Sequence, residues 1–238
     1  MANVLNNLVA VVTGGTGDLG QEVVTEFIRE GARVVINYRH EDKYKKLKER
    51  VSRPDYLAGI PADLMTESSV QDFFQKFQEI HPRLDVFLHL MGGFWAQGEV
   101  AETPLEKWQY MMDLNLLSSF LSTREAFKLM KSQCSGKIFT VGSKSALELP
   151  AGTGAYAVSK AALIALSEVL AKEGKKYNIQ VNCILPGIID TPANRQAMPD
   201  ADFNAWVAPR DIAYLLVQLS LPQNRVLSQT ALKLYGKL

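Results

Sequence analysis

Short β-branched runs, apolar almost throughout, alternate along the chain with longer stretches whose apolar residues recur every three or four positions. The first pattern fits strands covered on both faces and the second fits amphipathic helices. Their alternation is that of repeated βαβ units. Strands are predicted at 9–13, 33–38, 56–60, 85–89, 137–141 and 179–185, with a seventh near 231–235. Helices are predicted at about 18–30, 41–51, 66–80, 104–131, 154–174 and 209–220. The fourth helix carries a start signal: Thr103, then Pro104 at the first helical position, then Glu106 completing a capping box. Gly31 and Gly174 stand where glycine would stop the helices before them. No repeat, low-complexity tract or linker interrupts the alternation. The expected fold is therefore α/β: a single-domain Rossmann-type doubly wound parallel sheet of about seven strands with helices on both faces, spanning 1–238.

Composition narrows the function classes. A chain of 238 residues, 47% hydrophobic, suits one large α/β domain. Its net charge of +1 offers no electrostatic attraction for nucleic acid or an anionic membrane. No apolar run approaches the roughly eighteen residues of a membrane span. The start, Met-Ala-Asn-Val-Leu-Asn-Asn, lacks the basic stretch and apolar core of a secretion signal. Cys134 and Cys183 are far apart, without CxxC spacing, and read as reduced thiols, Cys183 in a buried strand. Three scattered histidines make no metal-ligand pattern, so no metal is expected. A cytoplasmic protein acting on small molecules is the expectation.

The first predicted strand runs into Thr13-Gly-Gly-Thr-Gly-Asp-Leu-Gly20 and then an amphipathic helix. Such glycines permit a tight turn and let backbone approach a pyrophosphate at the positive end of the helix. Gly14, Thr16, Gly17, Leu19 and Gly20 are the candidate contacts. A purely structural turn would use the same glycines; the strand before and helix after favour the phosphate reading. Asp18 would repel a phosphate and is expected to point away and cap backbone amides. After the second strand comes Asn37-Tyr38-Arg39-His40. An acid there would bond the ribose 2′-hydroxyl of NAD, whereas an arginine pairs with the 2′-phosphate of NADP. Asn37 and Arg39 therefore favour NADP(H) over NAD(H), with Arg39 as a solvated surface charge the alternative.

Residues 136–160 carry the chemistry. A predicted strand ends in Ser143, and thirteen residues later comes Tyr156-Ala-Val-Ser-Lys160. Tyr156 and Lys160, four apart on a helix, share one face. A free phenol titrates near pH 10, too high for a base at neutral pH, and a nearby ammonium together with an oxidised nicotinamide ring would favour the phenolate. Ser143 would hold a substrate oxygen while hydride moves at the adjacent carbon.

This combination resembles the classical short-chain dehydrogenases/reductases over essentially the whole chain. The resemblance implies a fourth catalytic residue, Asn115 in Met112-Asp-Leu-Asn115-Leu, holding a water in a proton relay through Lys160 and the cofactor ribose. Local bonding by a helix-interior amide is the alternative for Asn115. It also implies that Asp63, with Leu64, lies beside the adenine, that Gly92 follows the fourth strand at the cofactor, and that Pro186, Gly187, Ile189 and Thr191 wrap the nicotinamide. Tyr156 and Lys160 would face the cofactor as well.

Two segments depart from the family pattern: Gly17 and Asp18 reverse the usual glycine placement, and His89-Leu-Met-Gly92 replaces Asn-Asn-Ala-Gly. The stretches beginning at Met91 and Asp190 are locally similar to the dihydropteridine reductase branch. Three functions follow as expectations: a carbonyl reductase or alcohol dehydrogenase, a reductase of a quinonoid dihydropterin or similar planar heterocycle, and a non-catalytic dinucleotide sensor or scaffold. Phe94, Trp95, Phe203 and Trp206 are candidate substrate contacts, with ordinary core packing the alternative. The segment 192–208, long for an αβ connection and without sustained helical period, is a candidate substrate lid. The family pairs its long helices across a two-fold axis. The apolar surface of 154–174 exceeds what one face needs, so a homodimer or homotetramer is expected.

Overall fold

The computed structural model describes residues 3–237. Seven parallel strands form one sheet in the order β3-β2-β1-β4-β5-β6-β7. They are β1 (Val9–Thr13), β2 (Arg33–Tyr38), β3 (Leu57–Pro61), β4 (Val86–His89), β5 (Gly136–Val141), β6 (Ile179–Pro186) and β7 (Thr230–Leu234). Side chains alternate across β1: Val9 and Val11 face one core, Ala10 and Val12 the other. The Ala10 side is filled by α1 (Asp18–Arg29), α2 (Glu41–Arg50) and α9 (Pro209–Ser220), chiefly through Phe27, Leu47 and Leu216. The Val9 side is filled by α3 (Glu67–Ile80), α5 (Ser118–Gln133) and α7 (Gly154–Gly174), with Phe73, Phe77, Met130 and Leu170. Strands buried on both faces explain the continuous apolar runs in the sequence.

The chain winds outward from β1 to β3, then crosses back to β4 on the other side of β1. That reversal opens a crevice at the carboxyl ends of β1 and β4, where sheets of this type take ligands.

Helix boundaries needed correction in three places. The predicted helix at 104–131 is interrupted: α4 (Leu105–Met112) passes through a π-helical turn (Asp113–Leu117) into α5. Its predicted capping box does not form. Pro104 itself is the N-cap, with extended backbone, and Thr103 Oγ1 instead donates to the Glu99 carbonyl at 3.2 Å. Gly174 has ordinary helical φ; a 3-10 turn carries the chain on to Asn178, which stops it in the left-handed region at φ 55°. Gly31 does lie just past α1, at φ 93°.

α7 is apolar on more than one face. One eighteen-residue window within Gly154–Tyr177 is long and apolar enough to match a membrane span by length and composition. Here Leu163, Leu170 and Ala171 are buried, while Val158 and Val169 remain exposed.

Candidate active site

The phosphate-type turn between β1 and α1 is built by close backbone contact. A Cβ on Gly20 would lie 2.1 Å from the Gly14 carbonyl oxygen, and Gly14 takes φ 71° against the Met91 backbone. Only glycine fits either place. Gly17 is the N-cap of α1, its amide donating to the Gly14 carbonyl at 3.0 Å. Asp18 is exposed and serves as no cap, contrary to its expected role. Asn37 is buried, its Oδ1 accepting from the Gly14 amide at 3.0 Å and its Nδ2 donating to the Ala62 carbonyl at 3.2 Å. It thus braces the glycine turn against the end of β3. Arg39 and Asp63 are exposed beyond β2 and β3, whereas the Leu64 side chain is fully buried in core, leaving only its backbone for a ligand.

A cavity of 640 Å³ opens at the same sheet edge. Ser143, Tyr156 and Lys160 line it, together with Leu19 from the glycine turn, Gly92 and Gly93 after β4, and Pro186, Gly187 and Ile189 after β6. Gly92 leaves room where a side chain would collide, since its Cβ would stand 2.9 Å from Asn115 Oδ1 and 3.0 Å from Lys160 Nζ. The glycine turn at a helix N-terminus and the Gly92 cradle both suit the backbone-close approach of a dinucleotide.

Ser143 follows β5, just before the short α6 (Ser145–Glu148), and is buried; its Oγ accepts from the Ser145 amide at 3.2 Å. Burial raises the Tyr156 phenol above its ordinary 10, and the hydrogen bond with Ser143 works in the opposite direction. Lys160 lies one turn further along α7 and is buried. Its ammonium donates to the Val141 carbonyl at 2.7 Å, and burial lowers it to about 8. Sequence spacing placed the two groups on one face but said nothing of the burial that acts on both.

Asn115 lies in the π turn, fully buried. Its Oδ1 accepts from the Gly93 amide at 2.9 Å, and its Nδ2 donates to the Gly93 carbonyl at 3.1 Å and to Ser159 Oγ at 3.0 Å. The side chain clamps the loop after β4 rather than pointing free into the cavity. On that loop, Phe94 is 66% exposed and meets the Tyr156 ring edge-on at 4.8 Å.

Of the four aromatic candidates, only Phe94 lines the cavity. Trp206 is buried and packs on Phe203 at 4.8 Å, and Arg195 lies over the Phe203 ring at 4.7 Å. Trp95 is half-buried outside the lining. Composition alone does not tell packing aromatics from lining ones. Thr191 also lies off the cavity, its Oγ1 accepting from the Asn194 amide at 3.2 Å. It caps α8 (Pro192–Ala197), a helix within the segment read as having no helical period. Asn194 and Met198, four apart along this segment, reach the cavity, as do Lys144, Ser145 and Thr153. Thr191-Pro192, an N-cap followed by proline at the first helical position, was the available signal for α8.

Fold and site together define a Rossmann-type dinucleotide-binding architecture with a Ser-Tyr-Lys centre. The family described as short chain dehydrogenase matches residues 8–202. The chain belongs to this short-chain dehydrogenase/reductase family of oxidoreductases. It is similar to the uncharacterized oxidoreductase YxjF of Bacillus subtilis strain 168, 30% identical over 221 residues, covering 92% of this chain and 86% of that protein. An uncharacterized oxidoreductase of Staphylococcus aureus strain MRSA252 is 27% identical over 222 residues, covering 93% of this chain and 94% of the other. Among solved structures, ElxO with NADP bound superposes at a TM-score of 0.90 with 23% identity, covering 96% and 97% of the two chains. NAD+-bound xylitol dehydrogenase gives 0.88 with 20% identity, covering 98% and 99%.

The lowered Lys160 pKa has a measurable consequence. An unfolded lysine titrates near 10.5, so between about 8 and that value the unfolded chain holds more protons than the folded one. This contribution to stability is full above the unfolded pKa and is lost as pH falls through about 8. Lys160→Met is expected to show a shallower rise of stability from pH 8 to 10 than the parent, followed by denaturant unfolding. Lys137, also lowered to about 8 by burial, keeps part of the slope in both proteins. Equal slopes would contradict an ionisable ammonium buried at Lys160.

Proposed function

We propose that this chain is an NADP(H)-dependent carbonyl reductase or alcohol dehydrogenase. One observation carries the reading: Ser143, Tyr156 and Lys160 converge on one cavity that Leu19, beside the glycine turn at the start of α1, also lines. A bound nicotinamide dinucleotide would supply or accept the hydride. Ser143 Oγ–H would donate to the substrate carbonyl oxygen. Tyr156 would deliver its phenolic proton to the same oxygen as the carbon is reduced, and burial keeps that proton on the phenol at neutral pH. In the oxidative direction Tyr156 must instead accept the proton. Burial opposes the phenolate, so a positive charge introduced beside it must offset that cost. Lys160, protonated in the main at pH 7 and close to Gly92, would hold hydroxyl groups of the dinucleotide and return a proton toward Tyr156.

The lining supports an uncharged or anionic substrate with an apolar body. Leu90, Phe94, Ile188 and Met198 form its walls, and none of the described residues lining it is acidic. Asn194 and Met198 put the segment 192–208 against the cavity, which supports its reading as a cover over substrate. Consumption of NADPH across aldehydes, ketones, quinones and dihydropterins separates this reading from reduction of a planar heterocycle and from a non-catalytic sensor. Turnover confined to dihydropterins, or none at all, would refute it. With an active carbonyl substrate, Tyr156→Phe should lower turnover by about 10² or more with dinucleotide binding retained. Near-normal turnover would remove Tyr156 from the proton step.

The exposed Arg39 supports the preference for NADP(H), since it stands free beyond β2 where a 2′-phosphate would be read. Arg39→Asp should weaken NADPH relative to NADH by about 2 kcal/mol or more, as an attraction becomes a repulsion. Titration by protein fluorescence measures both, and equal losses would mean that Arg39 does not read the phosphate.

The protein is further proposed to act as a homodimer or homotetramer. Leu117, Phe120, Val158 and Val169 are exposed on α5, α7 and the π turn between α4 and α5, beside an apolar groove that includes Met112 and Leu166. A second copy of the same face would cover them. Light scattering at micromolar concentration should give at least twice the chain mass, and a monomer would contradict the assignment.

A further inference from the structure

His89 replaces the first asparagine of the family pattern after β4, and the reading of the site as a reductase centre gives it no task. It is completely buried at the carboxyl end of β4, opposite Thr13 of β1 on one side and Thr140 of β5 on the other. Both ring nitrogens have partners. Thr13 Oγ1 lies 2.9 Å from Nδ1, and Ser118 Oγ lies 3.4 Å from Nε2. Ser118 already spends its one hydroxyl proton on the Leu114 carbonyl at 2.6 Å, so toward the ring it can only accept. Nε2 therefore carries the hydrogen, and Nδ1 accepts from the Thr13 hydroxyl. One neutral tautomer satisfies the whole chain of contacts.

Each end of this chain reaches working parts of the site. Thr13 is the residue before Gly14, whose backbone is pressed on Met91 and braced by Asn37. Ser118 and Leu114 bracket Asn115, in the π turn whose amide clamps Gly93 and with it the loop bearing Phe94. A π turn is a strained interruption of a helix and keeps its shape only where neighbours fix it.

We propose that His89 is a positioning residue, linking the glycine turn through Thr13 to the Asn115 π turn through Ser118. The ring holds both at one spacing and does not line the cavity. It stays uncharged through the working pH range: burial, with the Lys160 ammonium adding to it, lowers the ring to about 3. This inference rests on the reductase reading for its meaning in catalysis, but the mechanical link is testable without it.

Thr13→Val removes the contact at one end, and Ser118→Ala the contact at the other. Amide hydrogen exchange on the free protein reads the link directly. Thr13→Val should speed exchange at Gly93 and across the π turn by about fivefold or more, although Thr13 touches neither. Ser118→Ala should do the same at Gly14 and Gly17. With an active substrate, the two substitutions should be non-additive in kcat, and His89→Leu should abolish the effect of each. His89→Asn, which keeps a donor and an acceptor on a shorter side chain, replaces His89→Leu where that variant does not fold. Exchange changes confined to the residues next to each substitution, or additive losses in kcat, would overturn the link. Absence of any reductase activity with the exchange pattern intact would instead refute only the functional reading.

Discussion

A sheet whose strands all run in one direction brings every carboxyl end to one edge, and the chemistry of this protein is assembled from what leaves that edge. The turn after β1 presents α1 with its positive end, the loop after β4 presents Gly92 and Phe94, Ser143 follows β5, and Pro186–Ile189 follow β6. No single loop holds the site. Its geometry depends on the parallel registers, such as Thr13 beside His89 beside Thr140, which fix how far each loop starts from the next. A sheet buried on both faces by two separate cores leaves those registers little freedom to slip.

Within that frame the electrostatics are those of burial rather than of paired charges. Tyr156 is raised, and Lys160 and His89 lowered, each chiefly by exclusion from water. The protein alone thus favours a neutral phenol, a weakly held ammonium proton and a neutral imidazole. Such a phenol keeps its proton until further positive charge enters the cavity. This couples the acid–base state of the site to what occupies it.

Strand positions were legible because a strand covered on both faces is apolar almost throughout, and Val9–Val12 of β1 and Val34–Ile36 of β2 show that without interruption. The glycine turn and the Ser143–Tyr156–Lys160 spacing were equally legible, since both are local. The failures came where the deciding contact lies far off in sequence. One extra residue in the helix ladder at Asn115 leaves the hydrophobic pattern intact, so the π turn was invisible. Asn37 looked like a ligand contact and proved also to be a brace, because Ala62 and Gly14 lie beside it only in the folded sheet. Trp206 carries the same composition signal whether it lines a cavity or packs under one. Spacing reports neighbours along a helix, not depth, so the burial that acts on Tyr156 and Lys160 was not legible either.

The central claim is that the protein by itself holds Tyr156 protonated and that ligand charge in the cavity changes this. Carbon-13 labelling of the tyrosine ring at the hydroxyl-bearing carbon follows ionisation of each phenol directly, with Tyr156→Phe identifying the resonance. In the free protein Tyr156 should titrate above the ordinary tyrosine value of 10. Saturation with an oxidised nicotinamide dinucleotide should then move it below 10. A Tyr156 already ionising below 10 in the free protein, or one unmoved by the dinucleotide, would contradict the account.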